Sequence, residues 1–318
     1  MTTLDATLAE LTTEIELRPG YEGANIGPWI GFKHVNYLVE EAVLNHFRVT
    51  GSDVRSLYVD GGLCWEIVDI DTRIIHVFNL DETVRLRVRP VASPSGGEHT
   101  FEVLILGGRL GEDVRLARSR VSVSLRLDSR WASARAAVSP ALETAVVSRI
   151  RRQAPAAGFG AMPSDDIPTD VSLLTEGRNA FQWTLRVPYF YCHFTERLQM
   201  SGYLRIMEEV VDRFLADRGV SIRSLLDDKQ LIPAVPRSRI SMLDEVYMEE
   251  DLHIVFVVDD VFKNLTFTAR MECYVVRDGA LVNVAVGAIT HGYAMLEDRG
   301  RWGLSKLDER LCRALSAT

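Results

Sequence analysis

The chain has only four cysteines in 318 residues, Cys64, Cys192, Cys273 and Cys312. They lie far apart, with no Cys-x-x-Cys pair and no His/Cys ligand spacing. That pattern argues against a disulfide framework or a zinc site and for reduced, mostly buried thiols. Basic charge is short as well: 36 Lys and Arg stand against 44 Asp and Glu, for a net charge of −8. A general nucleic-acid partner is disfavoured, because a phosphate backbone selects basic surfaces. No stretch reaches the ~20 apolar residues of a membrane helix. The opening segment, with Asp5, Glu10, Glu14 and Glu16, lacks the basic flank and apolar run of a secretory signal. The sequence therefore reads as cytoplasmic, with no membrane partner. Missing too are motifs that would name a chemistry outright: no GxSxG elbow, no phosphate-cradling Gly-rich loop and no HExxH pair. Asp227-Asp228 and Asp259-Asp260 lack calcium-loop periodicity, and Gly107-Gly108-Arg109-Leu110-Gly111 reads as a turn. No cofactor is called for.

What the chain does have is ordinary globular composition, 47% apolar and 25% charged, and length for two domains. It also repeats itself. Val54-Arg55-Ser56-Leu57 returns as Ile222-Arg223-Ser224-Leu225, a shift of 168 positions (222 − 54), and the same shift pairs Glu40-Glu41 with Glu208-Glu209 and Gly51 with Gly219. A series in one register points to two copies of one module.

Both copies read alike. In the second, Tyr203, Met207, Val210, Val211 and Phe214 recur at helical spacing with Leu204 and Leu215 beside them, and Gly219 stops the helix. Strand-like runs follow at Leu252–Val258, Leu265–Val276 and Leu281–Met295, with Arg277-Asp278-Gly279 as a turn; their counterparts are Val84–Val91, His99–Leu106 and Val114–Leu127. A strand before the helix, Phe181–Val187, completes the unit. One apolar helix with several long antiparallel strands implies an α+β fold, a sheet around a central helix. The expected division is a first domain over 1–128, a linker over 129–178 helical through Arg135–Arg152, and a second domain over 179–318. Within the linker, Arg149, Arg151 and Arg152 form the densest basic spot, read as a solvated run.

The stretch Cys192-His193-Phe194-Thr195-Glu196-Arg197-Leu198-Gln199-Met200-Ser201-Gly202-Tyr203-Leu204 resembles the His-Phe, Met-Pro-Gly and Leu pattern of hydroxyacyl-thioester dehydratases. Tyr203-Leu204-Arg205-Ile206-Met207-Glu208-Glu209, with Phe214-Leu215 and Gly219, resembles the helix of acyl-CoA thioesterases. His34-Val35-Asn36 with Tyr37-Leu38 resembles the thioesterase His-Val-Asn signature, without its usual gap before the tyrosine. Both families share the hotdog fold, so the resemblance implies a tandem double hotdog. It also implies an acyl thioester of coenzyme A or of an acyl carrier protein as the substrate, bringing its own phosphopantetheine.

Candidate catalytic residues follow from the chemistry of a thioester, which needs a polarised carbonyl and a group that moves a proton. His193, ten positions before Tyr203, fills a slot that the resemblance gives to a dehydratase histidine or a thioesterase aspartate; an imidazole is the side chain suited to moving a proton near working pH. Glu208 falls at the edge of the apolar stripe, where burial would raise its pKa, and Glu196 is a second carboxylate candidate. Gly202 opens the second helix, where free N–H groups can hold an oxyanion. Tyr191 and Tyr203, with Asn25 and Glu40 as the first-copy counterparts of His193 and Glu208, complete the candidate substrate-binding set. Asn25 cannot act as a base near neutral pH, so one competent and one degenerate site are expected, or a site shared by the copies. His46 reads as core. Met207 stands where the dehydratase pattern wants an acid. Hydrolysis in fatty acid or polyketide metabolism is therefore the first expectation, dehydration of a 3-hydroxyacyl thioester the second, and non-catalytic acyl binding the third. The fused copies are compatible with a monomer or a homodimer.

Overall fold

The computed structural model describes residues 5–93, 96–109, 112–131, 137–155 and 167–316. The first copy runs β1 (Thr13–Leu17), α2 (Phe32–Val49), α3 (Val54–Val59), β2 (Leu63–Ile74), β3 (Val84–Val91), β4 (His99–Arg109) and β5 (Glu112–Leu127), after a short α1 (Asp5–Glu10). The second runs β7 (Ala180–Arg186), α5 (Met200–Asp217), α6 (Ile222–Lys229), β8 (Leu231–Met242), β9 (Asp251–Phe262), β10 (Thr266–Arg277) and β11 (Ala280–Leu296), and ends with β12 (Trp302–Ser305) and α7 (Glu309–Ser316). A 168-residue shift carries α2 onto α5 and β2 onto β8 residue for residue, end to end.

The strands form one sheet in the order β1-β3-β4-β5-β2-β8-β11-β10-β9-β7, a palindrome about the antiparallel β2·β8 pair. At its centre Asp71 faces Arg239, its own counterpart in the other copy, so a pseudo-twofold axis passes there. Each half of the sheet wraps one long helix. Val35, Val39, Ala42, Val43 and Phe47 of α2 and Tyr203, Leu204, Met207, Val210, Val211 and Phe214 of α5 are buried against it. This is the double-hotdog arrangement. Gly219, at φ +75°, supplies the left-handed residue that ends α5 as expected. No helix among the described residues is long and apolar enough to cross a membrane.

Two expectations need correction. The linker helix expected over Arg135–Arg152 is only α4 (Pro140–Glu143), with residues 132–136 outside the described set. Ser139 caps it and Pro140 starts it, then Val146–Val147 (β6) pairs in parallel with Leu125–Arg126 of β5. Nor is the basic spot simply solvated. Arg149 clamps Asp244 at 2.8 Å, and Arg152 binds Glu98, Ser241 Oγ and the Val68 and Met242 carbonyls, fastening the linker over both copies.

Polar groups also cross the seam. Asn36 on α2 accepts from Thr72 Oγ1 at 2.6 Å and donates to Ser238 Oγ at 3.3 Å, and Thr72 meets Ser119 at 2.7 Å, all buried. Their second-copy counterparts are apolar or glycine: Leu204, Ile240 and Gly287 stand for Asn36, Thr72 and Ser119. Asn36→Ala removes the Ser238 contact and leaves Thr72 only Ser119, and should cost about 1–3 kcal/mol of unfolding free energy. Denaturant melts showing no loss would refute a paired seam.

Candidate functional site

The helices meet across the pseudo-twofold axis through counterpart residues. Arg205 lies over the Tyr37 ring at 5.8 Å, and Tyr37 Oη donates to the Ser201 carbonyl at 3.5 Å. Lys33, in the first turn of α2, binds Glu208 of α5 at 2.5 Å. The pseudo-symmetric contact would join Ser201 to Glu40, because Ser201 is the counterpart of Lys33 and Glu40 that of Glu208. Serine carries no charge, so the two carboxylates part company. Glu208 is ion-paired and its side chain is 51% exposed, not the buried acid expected from its place beside the apolar stripe. Lys33 draws it outward. Glu40 is half-buried with no hydrogen-bond or ion-pair partner among the described residues, and desolvation, with Glu41 and Glu66 adding repulsion, pushes its pKa up to about 7.

The start of α5 is bare backbone. Gln199 gives no side-chain cap, and the Gly202 and Tyr203 N–H groups both donate to the Gln199 carbonyl. The Gly202 N–H offered to an oxyanion is thus occupied, which leaves those of Met200 and Ser201 pointing out of the first turn. A complementary exchange packs this end differently in the two copies, with the loop side chain against a helix glycine in one and the helix side chain against a loop glycine in the other. In the second copy the helix has Gly202 and the loop Tyr191; in the first the helix has His34 and the loop Gly23. A Cβ on Gly202 would meet Leu198 Cδ1 at 2.5 Å and Tyr191 Cβ at 3.1 Å, whereas one on Gly23 would meet His34 at 3.3 Å. Only the α5 terminus is free of a helix side chain at that position.

The loop ahead of α5 is fixed to the first copy. Arg197, 2% exposed, binds Glu66 of β2 at 2.7 Å, and Phe194, held at φ +70°, packs edge-on against Tyr58 of α3. A non-glycine residue in the left-handed region is strained and persists only where its surroundings hold it. His193, next to it, is exposed, and its imidazole has no hydrogen-bond partner among the described residues. Glu196 is neutralised by Arg130 at 3.0 Å and Arg197 at 3.5 Å. Burial raises the Tyr191 phenol. Tyr203 lies wholly in the core, its hydroxyl without a partner among the described residues and its pKa well above the ordinary value because of burial. Asn25 is exposed and donates to the Pro233 carbonyl at 2.9 Å, and His46 is core, bound to Thr13 Oγ1 and the Leu8 carbonyl at 3.0 Å each. The structure therefore brings Glu40, the α5 terminus and the His193 loop to one side of the axis. Glu208 and Asn25 belong to the other, where Glu22, His34 and Arg205 also gather. No group of His, Cys, Asp or Glu suited to a metal occurs among the described residues.

No protein-family model matches the chain, and no curated protein matches it by sequence. Solved structures do match in fold. A Lactobacillus plantarum protein assigned as an oleoyl thioesterase aligns over 92% of this chain and 99% of its own, with 12% identity and a TM-score of 0.61. A 12:0-ACP thioesterase from Umbellularia californica aligns over 89% and 97%, with 12% identity and a TM-score of 0.57. An acyl-ACP thioesterase from Bacteroides thetaiotaomicron VPI-5482 aligns over 88% and 97%, with 11% identity and a TM-score of 0.55. At such identities the likeness is one of fold, and it runs nearly the whole length of each chain.

The Glu40 shift carries a sign. A carboxyl whose folded pKa lies above its unfolded value near 4.5 favours the folded state at low pH and loses that advantage as pH rises through about 7. Glu40→Gln should therefore raise the melting temperature at about pH 8 and leave it nearly unchanged at about pH 4.5. A variant less stable at the higher pH would show that Glu40 has a cationic partner.

Proposed function

We propose that the protein hydrolyses acyl thioesters at a single site shared by its two copies, with Glu40 as the general base. The observation that carries this reading is the asymmetry of two symmetry-related carboxylates, one neutralised by Lys33 and one left partly buried, unpaired and poised near neutral pH. A base with that pKa is ionised at working pH yet still basic enough to take a proton from water. The thioester carbonyl would lie over the first turn of α5. There the Met200 and Ser201 N–H groups and the helix dipole stabilise the oxyanion formed as the water oxygen attacks carbon. Collapse of the tetrahedral intermediate expels the thiolate, and the proton held by Glu40 returns to it. His193, exposed on the preceding loop, would stand at the entrance.

The match in fold to proteins assigned as acyl thioesterases supports the substrate class, coenzyme A or carrier-bound. Dehydration is less well supported, because the slot that needs an acid holds Met207, wholly buried against Gly287. Soluble, cytoplasmic work in fatty acid or polyketide metabolism belongs to the same proposal.

A panel of acyl-CoA substrates, followed for free thiol and for conjugated enoyl absorbance, separates the readings. Thiol release is expected, with kcat/KM rising with pH to a plateau above an apparent pKa of about 7. Glu40→Gln should lower kcat by roughly 10²–10⁴-fold and Glu208→Gln by much less. If His193→Ala abolishes turnover and Glu40→Gln does not, the base is His193; enoyl absorbance would mean dehydration, and neither signal would mean binding only.

The α5 entry gives an independent check. Gly202→Ala forces its Cβ onto Leu198 and the Tyr191 backbone, and by displacing the first turn it should cut kcat by roughly 10-fold or more with little change in KM. Wild-type kcat in this variant would remove the α5 terminus from the mechanism.

A further inference from the structure

The outward face of the first-copy strands, continued onto β8 at the seam, carries a layer of arginines that the fold does not require. Across neighbouring strands the register sets Arg87 beside Leu104, Leu104 beside Arg118, Arg118 beside Arg73, and Arg73 beside Arg237. Three arginines thus stand directly opposite one another on β5, β2 and β8, a like-charge arrangement that costs stability. The adjoining row reads Arg89, Glu102, Arg120, Asp71, Arg239. Its carboxylates lie low and the guanidinium groups project: the Glu102 side chain is 14% exposed and that of Asp71 26%, against 62% for Arg118, 59% for Arg89 and 57% for Arg237. Glu102 holds Arg89 and Arg118, and Asp71 holds Arg237, so the acids fix the basic groups outward.

The second copy is an internal control. At the same places it has Val255 for Arg87, Val286 for Arg118, Ala288 for Arg120 and Ser241 for Arg73, and it builds the same sheet. There valines and alanine surround an ion-pair cluster of Arg270 and Glu272 with Asp259 and Arg178, and the face is partly covered, with Val171 and Leu174 of the linker packed on Val255 and Val257. The arginine layer therefore covers the first-copy half of the sheet and the adjoining β8, and does not extend over β9 to β11, in a chain whose net charge is −8.

We propose that this face docks an acidic protein, the carrier that presents the acyl group on its phosphopantetheine; the proposal rests on the thioesterase reading above and extends it to the form of the substrate. Guanidinium groups held in a fixed array suit carboxylates on a folded partner, which they can bind bidentately. The interspersed carboxylates oppose a continuous anionic surface such as a duplex or a lipid bilayer, and suit a partner with discrete acids.

The test is binding of a purified holo acyl carrier protein to the full chain, followed by fluorescence anisotropy. The triple variant Arg73→Glu, Arg118→Glu, Arg237→Glu should bind roughly 10-fold or more weakly than wild type, and the corresponding Gln variant should fall between them. Wild-type affinity should drop as salt rises from about 50 to about 300 mM. In turnover, the Glu variant should raise KM for the acylated carrier while kcat/KM for acyl-CoA is kept. Unchanged carrier binding in the Glu variant, with its melting temperature kept, overturns the proposal. So does a wild-type chain that binds duplex DNA or anionic phosphatidylglycerol vesicles more tightly than the carrier. If the wild type turns over neither thioester yet loses carrier binding in the variant, the hydrolase reading fails and the docking face stands.

Discussion

The arrangement of this molecule turns on one ion pair and on its missing counterpart. Duplication gives each long helix a glutamate at the same place, Glu40 and Glu208, and Glu208 reaches the first turn of the other helix, where it meets Lys33. The counterpart of that lysine is a serine. Lys33 turns Glu208 into a surface ion pair, whereas the same geometry without the amine leaves Glu40 to desolvation and to the repulsion of Glu66 and Glu41. A single difference in charge leaves one carboxylate ion-paired and its counterpart desolvated with a raised pKa.

The rest of the site depends on holding the second-copy loop against the first copy. Arg197 and Glu66 form a buried pair across the copies, and Arg126 with Glu245 forms another at 2.9 Å, with Glu245 also accepting from the Ile150 N–H and from Tyr247. Buried ion pairs of this kind add little net stability, because desolvation offsets their attraction, but losing one partner is costly. Their effect is to fix relative position. The carboxylate comes from one copy and the bare helix terminus from the other, so the registration of the two halves sets the geometry in which a carbonyl would be held.

Much of this was legible in the sequence. The repeat fixes the spacing between every pair of equivalent elements, and helical periodicity with Gly219 bounds α5. Two strands were not legible as strands. The run 63–74 carries Glu66, Asp69, Asp71 and Arg73, and 231–242 carries Pro233 and Pro236, so neither shows clean alternation. Both lie at the centre of the sheet, where the second copy's partners satisfy polar side chains that a lone strand would expose: Arg239 pairs with Asp69 and Arg237 with Asp71. The site was half legible. Residue type and spacing pointed to the loop and helix on which the proposed site is built, and a shared site was among the expectations. Weighing Glu40 above Glu208 needed the knowledge that Lys33 lies across the axis from Glu208, a contact 175 positions away in the chain. The signal was present in the repeat itself, as Lys33 aligned with Ser201 and His34 with Gly202.

The direct measurement is a carboxyl-carbon NMR titration of the glutamates, with Glu40 assigned by its Gln variant. The account predicts that the resonance lost in that variant titrates near pH 7. A Glu40 resonance titrating near the ordinary glutamate value of about 4.3 would contradict it.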